Sequence, residues 1–452
     1  MLTRFLRAAS PVVLAALAAS LPSACSSTAA PESFDAGAPL VIGVLQSLTG
    51  SDSSVGPPLK NAARVAEWQI NAAGGVLGKR VEFRFEDDGS KVDLATAAAD
   101  RFLGAGVVAA IGPTTSTPGA ALAPKFFDAK TILLSSTVVA TSLTTAQPAK
   151  DRYFFRTVPA ADIQGRVLAD VAAKGPSGKT ACKRMAAIIS DDATGNSYAD
   201  AIRQELGLRG GSLVKEIKVK TEVASDYKAE IAQLITAGAS PTYDCLGLFV
   251  FPPVGAQFMR DYKNAFPKST DPKFADWDKT YVVTWHVLFT SAFVTQARAN
   301  PTDASSPSAA EGVIGIVVDP TPDTPEYNEF RRQYVAQFPA EGAGALARNT
   351  ANTYDGAMLI LLAIEKAGTA TDRVKVRDAL FEVSRQGTVF TPSSIPEAIA
   401  AIRRGEDIDY KGASGPVDFD DYGNVKEDFT VWRVEGNALK TTGEKIRAEE
   451  IQ

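Results

Sequence analysis

Four consecutive hydroxyl side chains, Thr114–Thr117, follow the apolar segment Val107–Ile111. Hydroxyl groups donate hydrogen bonds to carboxylates, and Ser116 and Thr117 stand where a helix is expected to begin. The free amide N–H groups and the positive dipole end of that helix favour an anion at the same place. The pattern therefore predicts a noncovalent carboxylate site. Helix capping without a ligand is the alternative interpretation.

Polar and aromatic side chains also follow the other apolar runs that the sequence predicts to be strands. Ligands of open parallel sheets bind at the carboxyl ends of the strands, so these side chains are candidates for one pocket. The predicted ligand-binding residues are Gln46, Thr49, Thr114, Thr115, Ser116, Ser136, Thr137, Thr194, Phe251, Trp285 and His286. Core packing explains Trp285 and His286 equally well.

Catalysis and metal binding find little support in the residue types. His286 is the only histidine, which removes multi-histidine zinc sites and leaves one residue for any Ser-His-Asp triad. Ser225–Lys228 has the spacing of a Ser-x-x-Lys nucleophile, but it stands at a helix start without the partner motifs. The acidic run Glu86–Asp88 is more typical of a solvated strand end than of a cation site. We expect a binding protein that is not an enzyme, with no cofactor and no metal.

The composition favours a globular protein of more than one compact unit. The chain of 452 residues is about three times as long as a common domain, so two lobes are expected. Hydrophobic residues make up 45% and charged residues 22%, which is ordinary for globular proteins. The formal net charge of −5 offers no overall basic surface, so no nucleic-acid partner is expected.

The first residues have the composition of an export signal. Residues 1–24 contain two arginines, an apolar run and small residues that lead to Cys25. A buried N-terminal helix is the alternative, which Pro11 disfavours. The residues before Cys25 are similar to a bacterial lipoprotein box, which predicts lipidation at Cys25, and residues 25–38 have the composition of a flexible tether. We expect a periplasmic or extracytoplasmic protein that is tethered to the membrane through Cys25.

Two cysteines remain beyond that segment. Cys182 and Cys245 each stand at the beginning of an apolar, strand-like run. In an oxidising compartment they favour a disulfide bridge. Two separate buried thiols are the alternative, because spacing along the chain does not give the distance between the sulfur atoms.

Strand-like and helix-like segments alternate along the chain. Leu40–Leu45 is continuously apolar, as in a strand buried on both faces, and apolar residues recur with helical spacing over Leu59–Ala73. The alternation restarts near Asp162, and Thr430–Val434 is the last predicted strand. Strands separated by helices pair in parallel. The predicted fold class is therefore α/β, with two Rossmann-like lobes whose parallel central sheets are joined by crossover hinge strands.

A family resemblance rests on short motifs that follow one another in a fixed order. They are Ile42–Gly50 (IGVLQSLTG), Asn71–Gly78 (NAAGGVLG), Glu86–Asp88 (EDD), Val107–Thr117 (VVAAIGPTTST), Phe155–Thr157 with Gln164–Gly165, and Gly415–Asn424 (GPVDFDDYGN). With these motifs the chain resembles the type I periplasmic solute-binding proteins of the Leu/Ile/Val-binding group. Those proteins are the receptor components of branched-chain amino-acid ABC importers.

The resemblance implies two lobes that open and close around a small solute, and a closed form that docks on an ABC permease in the membrane. The expected lobes comprise residues 39–156 plus 286–408 and residues 157–285 plus 409–452. A monomer is expected. The alternative function is a ligand-sensing lipoprotein that signals to a partner without import, because one fold serves both purposes.

The resemblance also narrows the class of solute. Amino-acid-binding relatives hold the ligand ammonium with an acidic residue near the position of Trp285 or His286, where this chain has none. Val138-Val139 stand where those relatives have a threonine that touches the ligand. An unpaired buried ammonium is strongly disfavoured. The expected ligand is a small carboxylate-bearing or amino-acid-like solute, and Phe251 and Trp285 favour one with an apolar or aromatic body.

Overall fold

Continuous apolar runs in this sequence form parallel strands that are covered by helices on both faces. A computed structural model describes residues 37–176, 179–235, 240–266, 276–320, 322–341 and 346–451. Within those ranges the chain forms two α/β lobes, each built around its own sheet. The predicted fold class is confirmed.

The first lobe contains a five-stranded parallel sheet in the order β2-β1-β3-β4-β5. Its elements are β1 (Leu40–Gln46), α1 (Gly56–Ala72), β2 (Val81–Asp87), α2 (Val92–Gly104), β3 (Ala109–Ile111), α3 (Ser116–Asp128), β4 (Ile132–Ser135), α4 (Ser142–Thr145) and β5 (Phe154–Arg156). Gln46 lies opposite Asp87 in the register of β1 and β2. The ends of neighbouring strands, and the loops that follow them, therefore meet at one edge of the sheet.

The second lobe contains a seven-stranded sheet in the order β14-β13-β10-β9-β8-β6-β7. Its first elements are α5 (Ala161–Lys174), β6 (Arg184–Ser190), α6 (Ala193–Leu208), β7 (Ser212–Val219), α7 (Lys228–Ala232), β8 (Cys245–Phe249), α8 (Pro252–Ala265), β9 (Tyr281–Thr284), α9 (Ser291–Gln296) and β10 (Ile314–Val318). Strands β6 to β10 pair in parallel.

The chain then returns to the first lobe before it ends in the second. The returning elements are α10 (Pro325–Gln337), α11 (Thr350–Ala367), α12 (Arg373–Val383), β11 (Thr388–Phe390), α13 (Ile395–Arg403) and β12 (Ile408–Tyr410). The chain next forms β13 (Phe429–Glu435) and β14 (Ala438–Ile446), which are antiparallel additions to the second sheet. The expectation that Thr430–Val434 is the last strand is therefore wrong, because β14 follows it.

The lobe boundaries differ from those expected in the second half of the chain. Residues 286–318 belong to the second lobe rather than to the first, because β10 pairs with β9 in the second sheet. Residues 409–425 belong to the first lobe, because Val417 and Val425 pack in its hydrophobic core. The second crossing thus lies between β10 and α10, and the third lies directly before β13.

Hydrogen bonds tie two of the three crossings to helix α11. The Thr157 hydroxyl donates to the backbone carbonyl of Asn352 at 2.8 Å. The Asn352 side chain in turn donates to the Glu427 carboxyl at 2.7 Å. Burial raises the pKa of Glu427 well above its usual value. Asn352 therefore links the first crossing, at Thr157, to the third, at Glu427.

The N-terminal expectations lie mostly outside the described residues. The export signal over residues 1–24, Cys25 and the tether up to residue 36 are not among them. In the described part of the chain, no helix is long and apolar enough to span a membrane. The same part contains no group of three or more His, Cys, Asp or Glu residues arranged to hold a metal ion.

A disulfide joins Cys182 to Cys245, with their Cα atoms 5.5 Å apart. Of the two arrangements that the sequence left open, the structure therefore has the bridge. It connects the segment before β6 to the start of β8, the strand beside β6 in the second sheet. The covalent link closes a loop with a sequence separation of 63.

Reduction of this bridge is expected to lower the free energy of unfolding by about 2 to 4 kcal/mol, because the loop closure then no longer restricts the unfolded chain. Denaturant unfolding with and without dithiothreitol measures the effect. A Cys182→Ser/Cys245→Ser variant is the control, since dithiothreitol should leave its unfolding midpoint unchanged. Equal midpoints for the oxidised and reduced native chain would contradict the expectation.

Candidate ligand-binding site

The loops after β1 and β3 are joined by a buried hydrogen-bond network. The Thr114 hydroxyl accepts from the Ser47 backbone N–H and donates to Gln46 Oε1, both at 2.8 Å. The Asp88 carboxylate accepts from the Ser47 hydroxyl at 2.5 Å and from the Thr114 N–H at 3.3 Å. Thr114 therefore supports the loop, and its hydroxyl proton is already used within the protein.

Two polar atoms beside this network have no partner in the described structure. Thr115 Oγ1 and Gln46 Nε2 are buried and make no hydrogen bond. Thr115 is the N-cap residue of α3, but its side chain does not cap the helix. A buried polar group without a partner costs about 1 to 3 kcal/mol, so these atoms mark the place where a ligand would restore the missing bonds.

Three other predicted residues form the wall behind these atoms. The Ser116 hydroxyl accepts from the N–H groups of Val139 and Ala140, both at 3.2 Å. The Ser136 hydroxyl lies 2.7 Å from that of Thr353 in α11. The Thr137 hydroxyl donates to the Pro113 carbonyl at 3.4 Å. These bonds hold the loop after β4 against β3, α3 and α11.

Thr49 lies apart from the cluster. Its side chain is exposed, and its hydroxyl donates to the Asp87 carboxylate at 2.7 Å. The structure therefore places Thr49 at the rim of the β1 loop, where it holds the loop to the end of β2.

The first turn of α6 brings the second lobe against the first. The Ala193 N–H donates to Thr117 Oγ1 of α3 at 3.1 Å. Thr194, the next residue, is buried in the same turn, and Asp192 caps the helix by accepting from the Gly195 N–H at 2.9 Å. The N-termini of α3 and α6 thus meet at the boundary between the lobes.

Trp285 and Phe251 lie in the core of the second lobe. The Trp285 indole N–H donates to the Val250 carbonyl at 3.0 Å, and its ring centroid lies 4.8 Å from that of Tyr198. Phe251 contacts the same indole, with ring centroids 6.2 Å apart. These contacts satisfy Trp285 without a ligand, which agrees with the core-packing alternative.

His286 is buried, and its tautomer follows from its neighbours. Gln164 Nε2 donates to the Pro159 carbonyl at 2.7 Å, so Gln164 Oε1 accepts from the Tyr198 hydroxyl. That hydroxyl has one proton, and it must therefore accept from His286 Nδ1, which lies 3.1 Å away. Nε2 then carries a lone pair. Burial, followed by the positive charge of Arg348, lowers the pKa of His286 well below its usual value, so the ring is neutral.

The residue missed by sequence reasoning is Arg348, which lies between the lobes. Arg348 Nη2 donates to both carboxylate oxygens of Asp52 at 2.7 Å, and both side chains are almost fully buried. Burial raises the pKa of Asp52, and the arginine opposes that shift. Arg348 Nε is buried and has no partner among the described residues. The available signal was an arginine two residues before α11, a helix whose middle is apolar.

A cavity of about 520 Å³ opens beside Arg348, and both lobes line it. Ser54, Tyr334 and Arg348 contribute from the first lobe. Phe289, Arg298 and Leu439 contribute from the second. None of the ligand-binding residues predicted from the sequence lines this cavity. The cavity itself combines a buried guanidinium, hydroxyl groups and an apolar wall, which suits the noncovalent binding of a small organic anion.

Replacing Thr114 by valine and replacing Thr115 by valine are expected to have opposite effects on the free energy of unfolding. Thr114→Val leaves Ser47 N–H and Gln46 Oε1 unpaired, so the free energy of unfolding should fall by at least about 1 to 3 kcal/mol. Thr115→Val removes a hydroxyl that has no partner in the described structure, so the free energy of unfolding should stay equal or rise. Denaturant unfolding measures both effects. The reverse ranking of stabilities would show that the network is misassigned.

The only histidine is expected to make stability fall in acid. The unfolded chain binds a proton at His286 below about pH 6.5, whereas the folded chain does not, so stability is lost as the pH falls. Between pH 7.5 and pH 5 the native chain should lose up to about 2 kcal/mol more than a His286→Gln variant. Urea unfolding across this pH range measures the difference. Parallel pH profiles for the two proteins would contradict the buried neutral ring.

Known proteins resemble this chain over most of its length. Residues 39–438 match a family model described as periplasmic binding protein. The Leu/Ile/Val-binding protein BraC3 of Rhizobium johnstonii is 25% identical over 370 residues, which cover 82% of this chain and 88% of that protein. Another curated relative is matched over only 54% of its own length.

Solved structures share the fold. A leucine binding protein, LivK, of Thermotoga maritima superposes with a TM-score of 0.72 at 19% identity, and the match covers 91% of this chain and 99% of that one. A solute binding protein of an ABC transporter from Rhodopseudomonas palustris, in complex with 3,4-dihydroxybenzoic acid, has a TM-score of 0.65 at 20% identity and coverages of 90% and 97%. The chain therefore belongs to the periplasmic binding protein family, an extracytoplasmic family whose members bind substrates and are not enzymes.

Proposed function

We propose that this protein is the extracytoplasmic receptor of an ABC importer and binds a small carboxylate with an apolar or aromatic body between its lobes. The observation that carries the proposal is the guanidinium of Arg348, which is buried in the cleft with Nε unpaired. Arginine stays charged at all accessible pH values and binds carboxylates in a planar geometry. A solute carboxylate would supply the acceptor that Nε lacks.

The polar groups around Arg348 suit an anion better than a free ammonium. The two carboxylates at the cluster, Asp52 and Asp88, are already held by Arg348 and by the Ser47 and Thr114 network. Glu341, on the wall of the same cavity, accepts from the Asn61 side chain and from the Tyr334 hydroxyl. Within the described residues, each carboxylate there thus has a hydrogen-bond partner, and the unpaired burial of an α-ammonium is costly. The names of the relatives point to leucine-like solutes, whereas this cleft favours the acid without its amino group.

Binding between the lobes explains how occupancy would reach a permease. The lobes already touch through Thr117 and Ala193, so a solute in this gap contacts both and stabilises the closed arrangement. The importer role is supported by the structural neighbour from Rhodopseudomonas palustris, which is a solute binding protein of an ABC transporter. Export through residues 1–24 and anchoring through Cys25 would place a monomeric receptor beside its permease.

Titration calorimetry with benzoate, 4-methylpentanoate and leucine tests the solute class. The two simple carboxylates are expected to bind at least tenfold more tightly than leucine, because leucine must bury an unpaired ammonium. Leucine as the tightest of the three would overturn the preference. Absence of binding by all three would remove the support for a carboxylate site.

Removal of the arginine tests the anchor. Arg348→Gln alone strands the buried Asp52 carboxylate and can unfold the chain, so the informative variant is Asp52→Asn/Arg348→Gln. This variant should fold and lose at least tenfold in affinity for the best carboxylate. The exposed Arg84, in the same lobe, provides the matched control Arg84→Gln, which should bind as the native chain does. Native affinity in the double variant would exclude Arg348 as the anchor.

A further inference from the structure

Arg298, in the second lobe, makes no ion pair in the described structure, although its charge interacts at longer range with that of the exposed Asp303. It follows α9, and in the described structure its side chain makes neither a hydrogen bond nor an ion pair; its Nε is buried and unsatisfied. A guanidinium cannot lose its proton to relieve this situation. A buried donor without an acceptor costs free energy, so a retained arginine in this position indicates an acceptor that arrives from outside.

Arg298 and Arg348 line the same interlobe cavity of about 520 Å³. They come from opposite lobes, and each has an unpaired Nε. Ser54, also on the cavity wall, has a buried hydroxyl oxygen without a partner. Among the described residues, three polar groups without a partner thus lie around one cavity. Imperfect packing explains such a cluster poorly, so we favour a polar ligand that pairs with these groups.

The acidic side chain on this wall does not neutralise either arginine. Glu341 accepts from the Asn61 side chain at 2.7 Å and from the Tyr334 hydroxyl, and it makes no ion pair within the described structure. Both of its oxygens are therefore directed to neutral donors of the first lobe. Arg298 keeps its positive charge available to a guest.

The rest of the cavity wall is largely apolar. Phe289 and Val294 lie on the side of the second lobe, with Leu439 from β14, and Leu346 lies on the side of the first. A ligand that packs against this wall has an apolar central part. A ligand that pairs with both arginines has an acidic group at each end.

We infer that the bound solute is a dicarboxylate, or another small dianion with an apolar body, whose second acidic group binds Arg298. The inference rests on the proposed function, since it assigns the first acidic group to Arg348. One arginine from each lobe then binds one end of the solute. A dianion bridges the lobes and stabilises closure, whereas a monocarboxylate supplies an acceptor only to the arginine of the first lobe.

Calorimetric titration with matched pairs of acids tests the second subsite. Adipate is compared with hexanoate and terephthalate with benzoate, because the members of each pair share a carbon skeleton or ring and differ in the second carboxylate. The native chain should bind at least one diacid at least tenfold more tightly than its matched monoacid. Arg298→Gln should abolish that preference.

Two controls separate loss of the subsite from loss of the fold. Arg433→Gln removes an exposed arginine of the same lobe and should keep the native preference for diacids. The thermal unfolding midpoint of Arg298→Gln without ligand should equal that of the native chain or exceed it.

The possible failures are distinguishable. If the native chain binds monoacids and diacids equally, or if Arg298→Gln keeps the diacid preference, the second subsite is overturned and the proposed carboxylate receptor stands. If neither class of acid binds the native chain, the proposed function fails and this inference fails with it.

Discussion

The constraint on which this molecule depends is a positive charge buried between two lobes. Arg348 is almost fully buried and is held by Asp52, which anchors it to the loop after the first strand. Removing two charges from water is expensive, and a hydrophobic pair would often be as stable. The pair keeps a guanidinium in the cleft with its Nε unpaired, and the proposed function assigns that donor to a solute carboxylate.

The elements around Arg348 hold its guanidinium at the boundary between the lobes. Parallel strands bring their carboxyl ends to one edge of each sheet, so the loops that follow β1 and β3 stand together. The Ser47, Thr114 and Asp88 network makes those loops rigid, which leaves Thr115 and the Gln46 amide with groups to offer. The buried His286 ring, whose pKa the charge of Arg348 helps to lower, is neutral and adds no positive charge of its own.

Local patterns predicted the fold well, whereas long-range pairing remained hidden. Leu40–Leu45 could be recognised as a strand, because a strand that is buried on both faces is continuously apolar in sequence. The sequence did not show that β10 joins β9 before the chain crosses, because pairing partners are set by the sheet as a whole. That difference moved residues 286–318 to the other lobe.

The candidate site, like the fold, could be predicted only in part from the sequence. Thr114 and Thr115 were found as strand-end residues, but only hydrogen bonds distinguish the supporting hydroxyl from the free one. Arg348 lies far from Asp52 in sequence and belongs to no motif.

The distance across the cleft, measured by pulsed electron spin resonance between labels at the exposed positions of Lys91 and Asp200, tests whether a bound carboxylate closes the lobes. We expect the tightest-binding carboxylate to shift the population to the shorter, closed distance. The Asp52→Asn/Arg348→Gln variant should show no such shift. A distance distribution that stays the same while the carboxylate is bound would contradict it.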